Sequence, residues 1–118
     1  MENNNILEAK TILEHELERL GILDDTVTEI AVNPDNKIYI NVLGKGISFT
    51  EKYSDPVIAM NIINTLAALD GTVVNELNPM MSTSLPFKNA RFEALISPVV
   101  DGICFNIINL EAEEENGK

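Results

Sequence analysis

Several residue types are scarce in this 118-residue sequence, and each scarcity excludes a class of protein. With no tryptophan and only 5% aromatic residues, the core must be built from leucine, isoleucine, valine and methionine. The single cysteine, Cys104, excludes a framework of internal disulfides. No apolar run approaches the ~20 residues that a membrane-spanning helix needs. Residues 1–5 lack the basic start and apolar stretch of a secretory signal, so we expect a cytoplasmic protein.

Basic residues are also scarce, with 8 lysines and arginines against 19 acidic residues and a net charge of −11. Such a chain is repelled by phosphate backbones, so we expect no direct contact with nucleic acid. Part of the acidic excess lies in residues 111–118, which we predict to be a solvated, disordered tail. The alternative is a linker to a domain that is absent. The folded domain is therefore predicted to span residues 1–110.

What the sequence does have is a clear alternation of helix and strand patterns, with 45% apolar residues. Gly21 is a suitable C-terminal cap for a first helix. Strands are predicted at residues 26–33, 37–42 and 47–50, joined by turns at 33–36 and 44–46 into an antiparallel meander. The first helix is predicted from apolar residues at helical spacing, which are Ile6, Ala9, Leu13, Leu17 and Leu20.

The second half of the chain repeats this arrangement. Asp55 is a suitable N-cap, and Pro56 at the first helical position begins a second helix that Gly71 ends. Three more strands are predicted at residues 81–85, 90–96 and 102–108. The order of helix, three strands, helix and three strands predicts an α+β domain. It has about six mostly antiparallel strands with helices packed on the sheet.

No residue pattern in the chain predicts a catalytic or metal site. There is no Gly-x-x-x-x-Gly-Lys-Ser/Thr loop to bind phosphates, and the short segment 44–46 is interpreted as a hairpin turn. His15 is expected to be exposed in mid-helix, without a second strong metal ligand. Cys104 is interpreted as a small hydrophobic strand residue. The hydroxyls of residues 82–84 have no nucleophile elbow around them.

Two features leave alternatives open. The methionines Met60, Met80 and Met81 are interpreted as core residues, with an adaptable binding surface as the alternative. Arg91 lies in an apolar-rich strand, two residues from Glu93. It is either an exposed strand arginine that pairs with a neighbouring acid, or a phosphate contact, since guanidinium matches phosphate geometry.

Three segments, in this order along the chain, resemble the N-terminal domain of the secretion-ATPase superfamily. Residues 27–35 and 37–40 are similar to its pattern V-x-E-I-x-x-N-P-D-G-x-x-W/Y-V. Residues 75–79 and 84–86 are similar to E-N-P-I-x-x-x-x-L-P. Residues 90–100 closely resemble the S-R-F-E-G-L-I-P-P-V-V of the TrbB-type conjugation ATPases. Their order and spacing identify the chain as similar to a TrbB-like N-terminal domain.

The resemblance implies a regulatory and oligomerisation domain of a hexameric motor of bacterial conjugation or type IV secretion. In that family it forms a ring on RecA-like ATPase domains, and its movement couples ATP and magnesium binding to the secretion machinery. The implied partners are a RecA-like ATPase domain and inner-membrane secretion proteins, with a cytoplasmic position at the inner face of that membrane. Homo-oligomers are also implied. Arg91 is the implied nucleotide-binding residue, as a candidate γ-phosphate contact.

Two departures from the family bear on function. The family continues its last strand with a basic F-x-I-R-K, whereas Ile108 and Asn109 stand here in place of the basic pair. The P-loop domain is also absent, so we expect no enzymatic activity from this chain by itself. One alternative is a stand-alone adaptor or inhibitory module with the same fold and no nucleotide role. Another is a small enzyme or ligand binder, which needs a polar concave site that the sequence does not reveal.

Overall fold

A computed structural model describes residues 11, 14–21, 24–86 and 88–112 of the chain. It confirms an α+β domain in which each of two helices precedes three strands. The helices that precede the strands are α1, described at residues 11 and 14–19, and α2 (Pro56–Leu69). The strands are β1 (Val27–Val32), β2 (Lys37–Val42), β3 (Gly46–Tyr53), β4 (Met80–Ser84), β5 (Ala90–Ile96) and β6 (Ile103–Asn109).

All six strands form one antiparallel sheet in the order β3-β2-β1-β6-β5-β4. Each half of the chain contributes a meander of three neighbouring strands. The two meanders meet where β1 pairs with β6, for example at Ile30 and Ile107. Helix α2 connects β3 at one edge of the sheet with β4 at the other.

Helix α2 begins and ends where the sequence predicts. The Asp55 carboxylate accepts a hydrogen bond of 2.8 Å from the Val57 N–H, and Pro56 occupies the first helical turn. Gly71 follows the helix with a φ of 73°, a left-handed conformation that costs glycine nothing. The helix buries Ile62, Ile63 and Leu66 along one face.

The core lies between one face of the sheet and the helices. Its centre is a pair of tilted rings, Phe92 on β5 and Phe105 on β6, with centroids 5.3 Å apart. A register shift between Val27 and Glu29 lets both Val27 and Ile30 of β1 face this core. Leu17 of α1 is buried and Leu20 packs against the core as predicted, while residues 6, 9 and 13 lie outside the described residues.

The opposite side of the sheet, which we call the open face, carries the strand residues that alternate with the core residues. On β5 and β6 these are Arg91, Glu93, Leu95, Cys104, Asn106 and Ile108. No described helix covers it, and its side chains are exposed or half-buried. Strand alternation explains this division, because successive side chains point to opposite faces. The open face therefore offers side chains that other molecules can contact.

The C-terminal boundary differs from the prediction. Residues 110–112 continue β6 as a helical turn, and Ala112 is fully buried. The folded part therefore extends at least two residues past the boundary predicted at residue 110. Residues 113–118 of the predicted tail lie outside the described residues. The remaining differences are small, the largest being that β3 runs on to Tyr53.

Candidate functional site on the open face

Arg91, the nucleotide-binding candidate, lies on β5 and points to the open face. Ala90 and Phe92 on either side of it are buried, as strand alternation requires. In the pairing of the strands, Arg91 lies opposite Ser84 on β4 and Ile108 on β6. Arg91 therefore lies between Ser84 and Ile108, side by side on three neighbouring strands.

Two neighbours hold the Arg91 guanidinium. Its Nη2 donates to Ser82 Oγ at 3.0 Å and to Glu93 Oε2 at 3.1 Å. The side chains of Arg91 and Glu93 are 51% and 47% exposed, so water screens this ion pair and it adds little stability. Both contacts use Nη2, whereas a guanidinium has five N–H donors in total. The pair orients the arginine on the sheet surface.

This arrangement matches one of the two interpretations of Arg91, an exposed strand arginine that pairs with a neighbouring acid. A contact with phosphate stays a prediction. The pairing of β5 with β6 also shows where the missing second arginine of the family pattern would lie. Ile108 lies directly across from Arg91, so a second arginine at that position would stand beside the first. In this chain the neighbour is aliphatic.

A second polar pair on the open face joins the two halves of the chain. Asn106 Nδ2 on β6 donates to Glu29 Oε2 on β1 at 2.8 Å. Sequence reasoning missed this contact because the two residues are 77 positions apart. The alternation of buried and exposed residues along each strand indicated that both side chains lie on the open face. It could not show which strand lies beside which.

Beside Arg91 and Glu93, the open face carries a shallow groove across β4, β5 and β6, with a volume of about 620 Å³. Its apolar lining includes Met80, Leu95 and Cys104. Met80 is 59% exposed, so the prediction that it packs in the core is wrong. That prediction holds for Met81, which is buried, and Met60, which packs against the core. Methionine at such a surface suits adaptable contacts with another protein.

Aromatic residues give the other end of the open face an apolar character. Phe49 lies between Tyr39 and Tyr53, with ring centroids 5.5 Å and 5.7 Å away. Lys37 Nζ lies 5.6 Å from the centroid of the Phe49 ring. Exposed aromatic side chains are enriched at protein interfaces, whereas lone charges are depleted there. The open face thus combines apolar patches with paired charges.

The reactivity of Cys104 measures how well the groove shields its lining residues from solvent. Burial raises the pKa of the Cys104 thiol above its ordinary value of 9.0, and a backbone hydrogen bond from Leu95 opposes that shift only partly. The thiolate is the reactive form, so less of it is present at pH 8. We expect iodoacetamide to alkylate Cys104 several-fold more slowly in the folded chain than in urea, as followed by mass spectrometry. Equal rates in the two states would contradict this shielding.

The other sequence-based candidates fall on separate elements. His15 is exposed on α1, and Gly44 takes part in the hairpin turn between β2 and β3, with a φ of 77°. Ser82, Thr83 and Ser84 all lie on β4. Within residues 11, 14–21, 24–86 and 88–112, no three metal-ligating side chains lie close enough together to hold a metal ion. No helix among those residues is long and apolar enough to cross a membrane.

Comparison with solved structures gives the class of this fold. It is similar to the VirB11 ATPase of the Brucella suis type IV secretion system, solved with sulphate, with a TM-score of 0.72. The match covers 97% of this chain and 37% of that protein, at 17% sequence identity. The chain therefore has the fold of one part of a secretion ATPase. No family model matches the chain.

Two curated relatives match the chain at higher sequence identity. The chain is 36% identical over 86 residues to the conjugal transfer protein TrbB of Rhizobium radiobacter. It is 37% identical over 84 residues to the probable conjugal transfer protein TrbB of Sinorhizobium fredii. These matches cover 72% and 71% of this chain, but only 26% of each relative. The chain is a TrbB-like N-terminal domain, and it spans about a quarter of the length of these relatives.

Proposed function

We propose that this chain is the regulatory and oligomerisation domain of a conjugation or type IV secretion ATPase. It couples the nucleotide state of a RecA-like domain to the secretion machinery at the inner face of the inner membrane. The observation that carries the proposal is the similarity to two TrbB proteins over about seven tenths of the chain. The fold shared with the VirB11 ATPase supports it.

In this proposal the chain does not hydrolyse ATP alone. Its sequence contains no P-loop, whose backbone N–H groups would bind the phosphates and whose hydroxyl would bind magnesium. ATP and magnesium therefore belong to the RecA-like domain. The role of this chain is to sense the bound nucleotide and to pass a movement to inner-membrane secretion proteins. Hexamer formation depends on the assembled motor.

Arg91 is the residue that would sense nucleotide. Its guanidinium is half exposed on the open face, and its two contacts use one of its three nitrogens. In this proposal a γ-phosphate approaches the guanidinium in competition with the exposed Glu93 carboxylate and the Ser82 hydroxyl. The energetic cost of displacing that ion pair is small because water already screens it. A charge-assisted hydrogen bond to phosphate would favour the ATP-bound arrangement over the ADP-bound one.

Arg91→Ala is expected to remove most of the preference for ATP. The chain should bind a TrbB-type RecA-like ATPase domain more tightly with ATP and magnesium than with ADP. Loss of one charged hydrogen bond is worth about 1.5–3 kcal/mol, so that preference should fall about tenfold or more. Isothermal titration with each nucleotide measures it. Ile108→Arg, which places a second guanidinium beside Arg91, should increase the preference, and Lys52→Ala on β3 serves as the control.

A stand-alone adaptor is the second candidate, and one observation favours it. Where the family has a basic pair, Ile108 is aliphatic and Asn109 is fully buried in the fold. An adaptor would bind its ATPase partner equally well with ATP, with ADP and after Arg91→Ala. Absence of any binding to a RecA-like ATPase or to inner-membrane secretion proteins from the same host would contradict both candidates.

A further inference from the structure

A lysine at one end of the strands joins three distant parts of the chain. Lys88 lies in the turn between β4 and β5, and only 8% of its side chain is exposed. Its Nζ donates to Glu111 Oε2 at 2.6 Å and to Asp25 Oδ1 at 3.1 Å. Glu111 follows β6, and Asp25 precedes β1. One ammonium group thus links the entry of the first strand with the exit of the last.

A second set of hydrogen bonds holds the same exit. Asn109 is fully buried, and its Nδ2 donates to the Val27 carbonyl at 2.9 Å. Its Oδ1 accepts from the backbone N–H groups of Glu111 and Ala112 at 3.2 and 3.4 Å, as an N-cap does. The Leu110 N–H donates to the Asn89 carbonyl at 3.1 Å. Side chain and backbone therefore both anchor the turn at residues 110–112.

We propose that Lys88, Asp25, Glu111 and Asn109 form an exit clasp, which holds residues 110–112 against the start of β1 and the turn between β4 and β5. The ion pairs of Lys88 and the hydrogen bonds of Asn109 both hold residues 109–112. A solvated tail has no such contacts. The clasp also connects that exit to the turn that precedes Arg91 on β5. Its use as a mechanical link rests on the proposed function, in which this domain passes on a movement.

Electrostatics favour the charged form of Lys88. Burial by itself would lower the pKa of Lys88, but hydrogen bonds to Glu111 and Asp25, with their charges, raise it above its ordinary 10.5. A raised lysine pKa contributes stability below pH 10.5, which is lost only as the pH rises through the higher value of the folded state. The ammonium is therefore charged at neutral pH, and the two carboxylates are the charged groups that face it.

Lys88→Met opens the clasp without burying an unpaired charge. Methionine fills much of the space of the lysine stem, while Asp25 and Glu111 are 55% and 44% exposed and can be hydrated instead. We expect backbone amide hydrogens of residues 110–112 to exchange about tenfold faster or more in the isolated chain. Amides in the centres of β5 and β6 should keep their protection. Exchange is measured by NMR at neutral pH, with Lys45→Met in the β2–β3 turn as the matched control.

Two results would overturn the clasp. One is unchanged exchange at residues 110–112 in Lys88→Met. The other is equal acceleration throughout the sheet, which would make Lys88 a general stabiliser of the fold. If Lys88→Met does not fold, Glu111→Gln decides, since it removes the acceptor charge at an exposed site and should accelerate the same amides selectively. No partner is present in this experiment, so its result is independent of any failure to bind an ATPase.

Discussion

Phe92→Ala is expected to lower the free energy of unfolding by about 3–5 kcal/mol. Phe92 is fully buried on β5 and packs against Phe105 of β6, with ring centroids 5.3 Å apart. The substitution removes the transfer free energy of a whole ring and leaves a cavity at the centre of the core. It also removes the ring–ring contact with Phe105, which adds about 0.5–1.5 kcal/mol beyond burial.

Urea unfolding followed by circular dichroism measures this loss, with Phe49→Ala as the control. Phe49 is a phenylalanine of the same sheet but lies half-buried on the open face, so its loss should cost clearly less. A domain of this size has about 5–15 kcal/mol of stability in total, so the Phe92 variant should be marginal. Equal midpoint shifts for the two variants would contradict the position of the core between helices and sheet.

Asn109→Ala is expected to cost about 2–4 kcal/mol, the second largest effect. The amide of Asn109 is fully buried and makes three hydrogen bonds, one to the Val27 carbonyl and two to backbone N–H groups. Alanine would leave the Val27 carbonyl buried without this donor, at about 1–3 kcal/mol. It would also remove the cap of the turn at residues 110–112, at about 1 kcal/mol.

Thermal and urea unfolding measure the Asn109 effect, and Asn64→Ala provides the control. Asn64 is exposed on α2, where alanine is the better helix former, so that variant should be neutral or slightly more stable. A loss below about 1 kcal/mol in Asn109→Ala would show that the buried amide is not important for stability.

The bounds of helices and strands were predicted correctly where they depend on a few neighbouring residues. Strands 37–42 and 90–96 have the predicted bounds, and α2 begins at Pro56. In each case the information lies within a few residues. Alternation marks a strand, and an Asp-Pro pair followed by apolar residues at helical spacing marks a helix start. The turn at residues 44–46 was predicted for the same reason, since glycine accepts a positive φ there.

The candidate site was only partly predictable. Alternation suffices to place Arg91 and Glu93 on one face, and the arginine was singled out from the sequence. Its contact with Ser82 depends on the pairing of β4 with β5. The exit clasp depends on residues far apart along the chain, with Lys88 63 positions from Asp25 and 23 from Glu111. No spacing rule relates such residues, because only the folded sheet brings them together.

By itself the sequence determined the α+β class, the order of the elements, the lack of a P-loop and the likeness to TrbB. These properties are encoded in short segments or in their order. Only the tertiary structure decided that β1 lies beside β6, that Met80 faces outward and that residues 111–112 belong to the fold. Each of these depends on which distant surfaces pack together. The apolar spacing of one segment cannot specify its neighbour, since many pairings of strands bury the same residues.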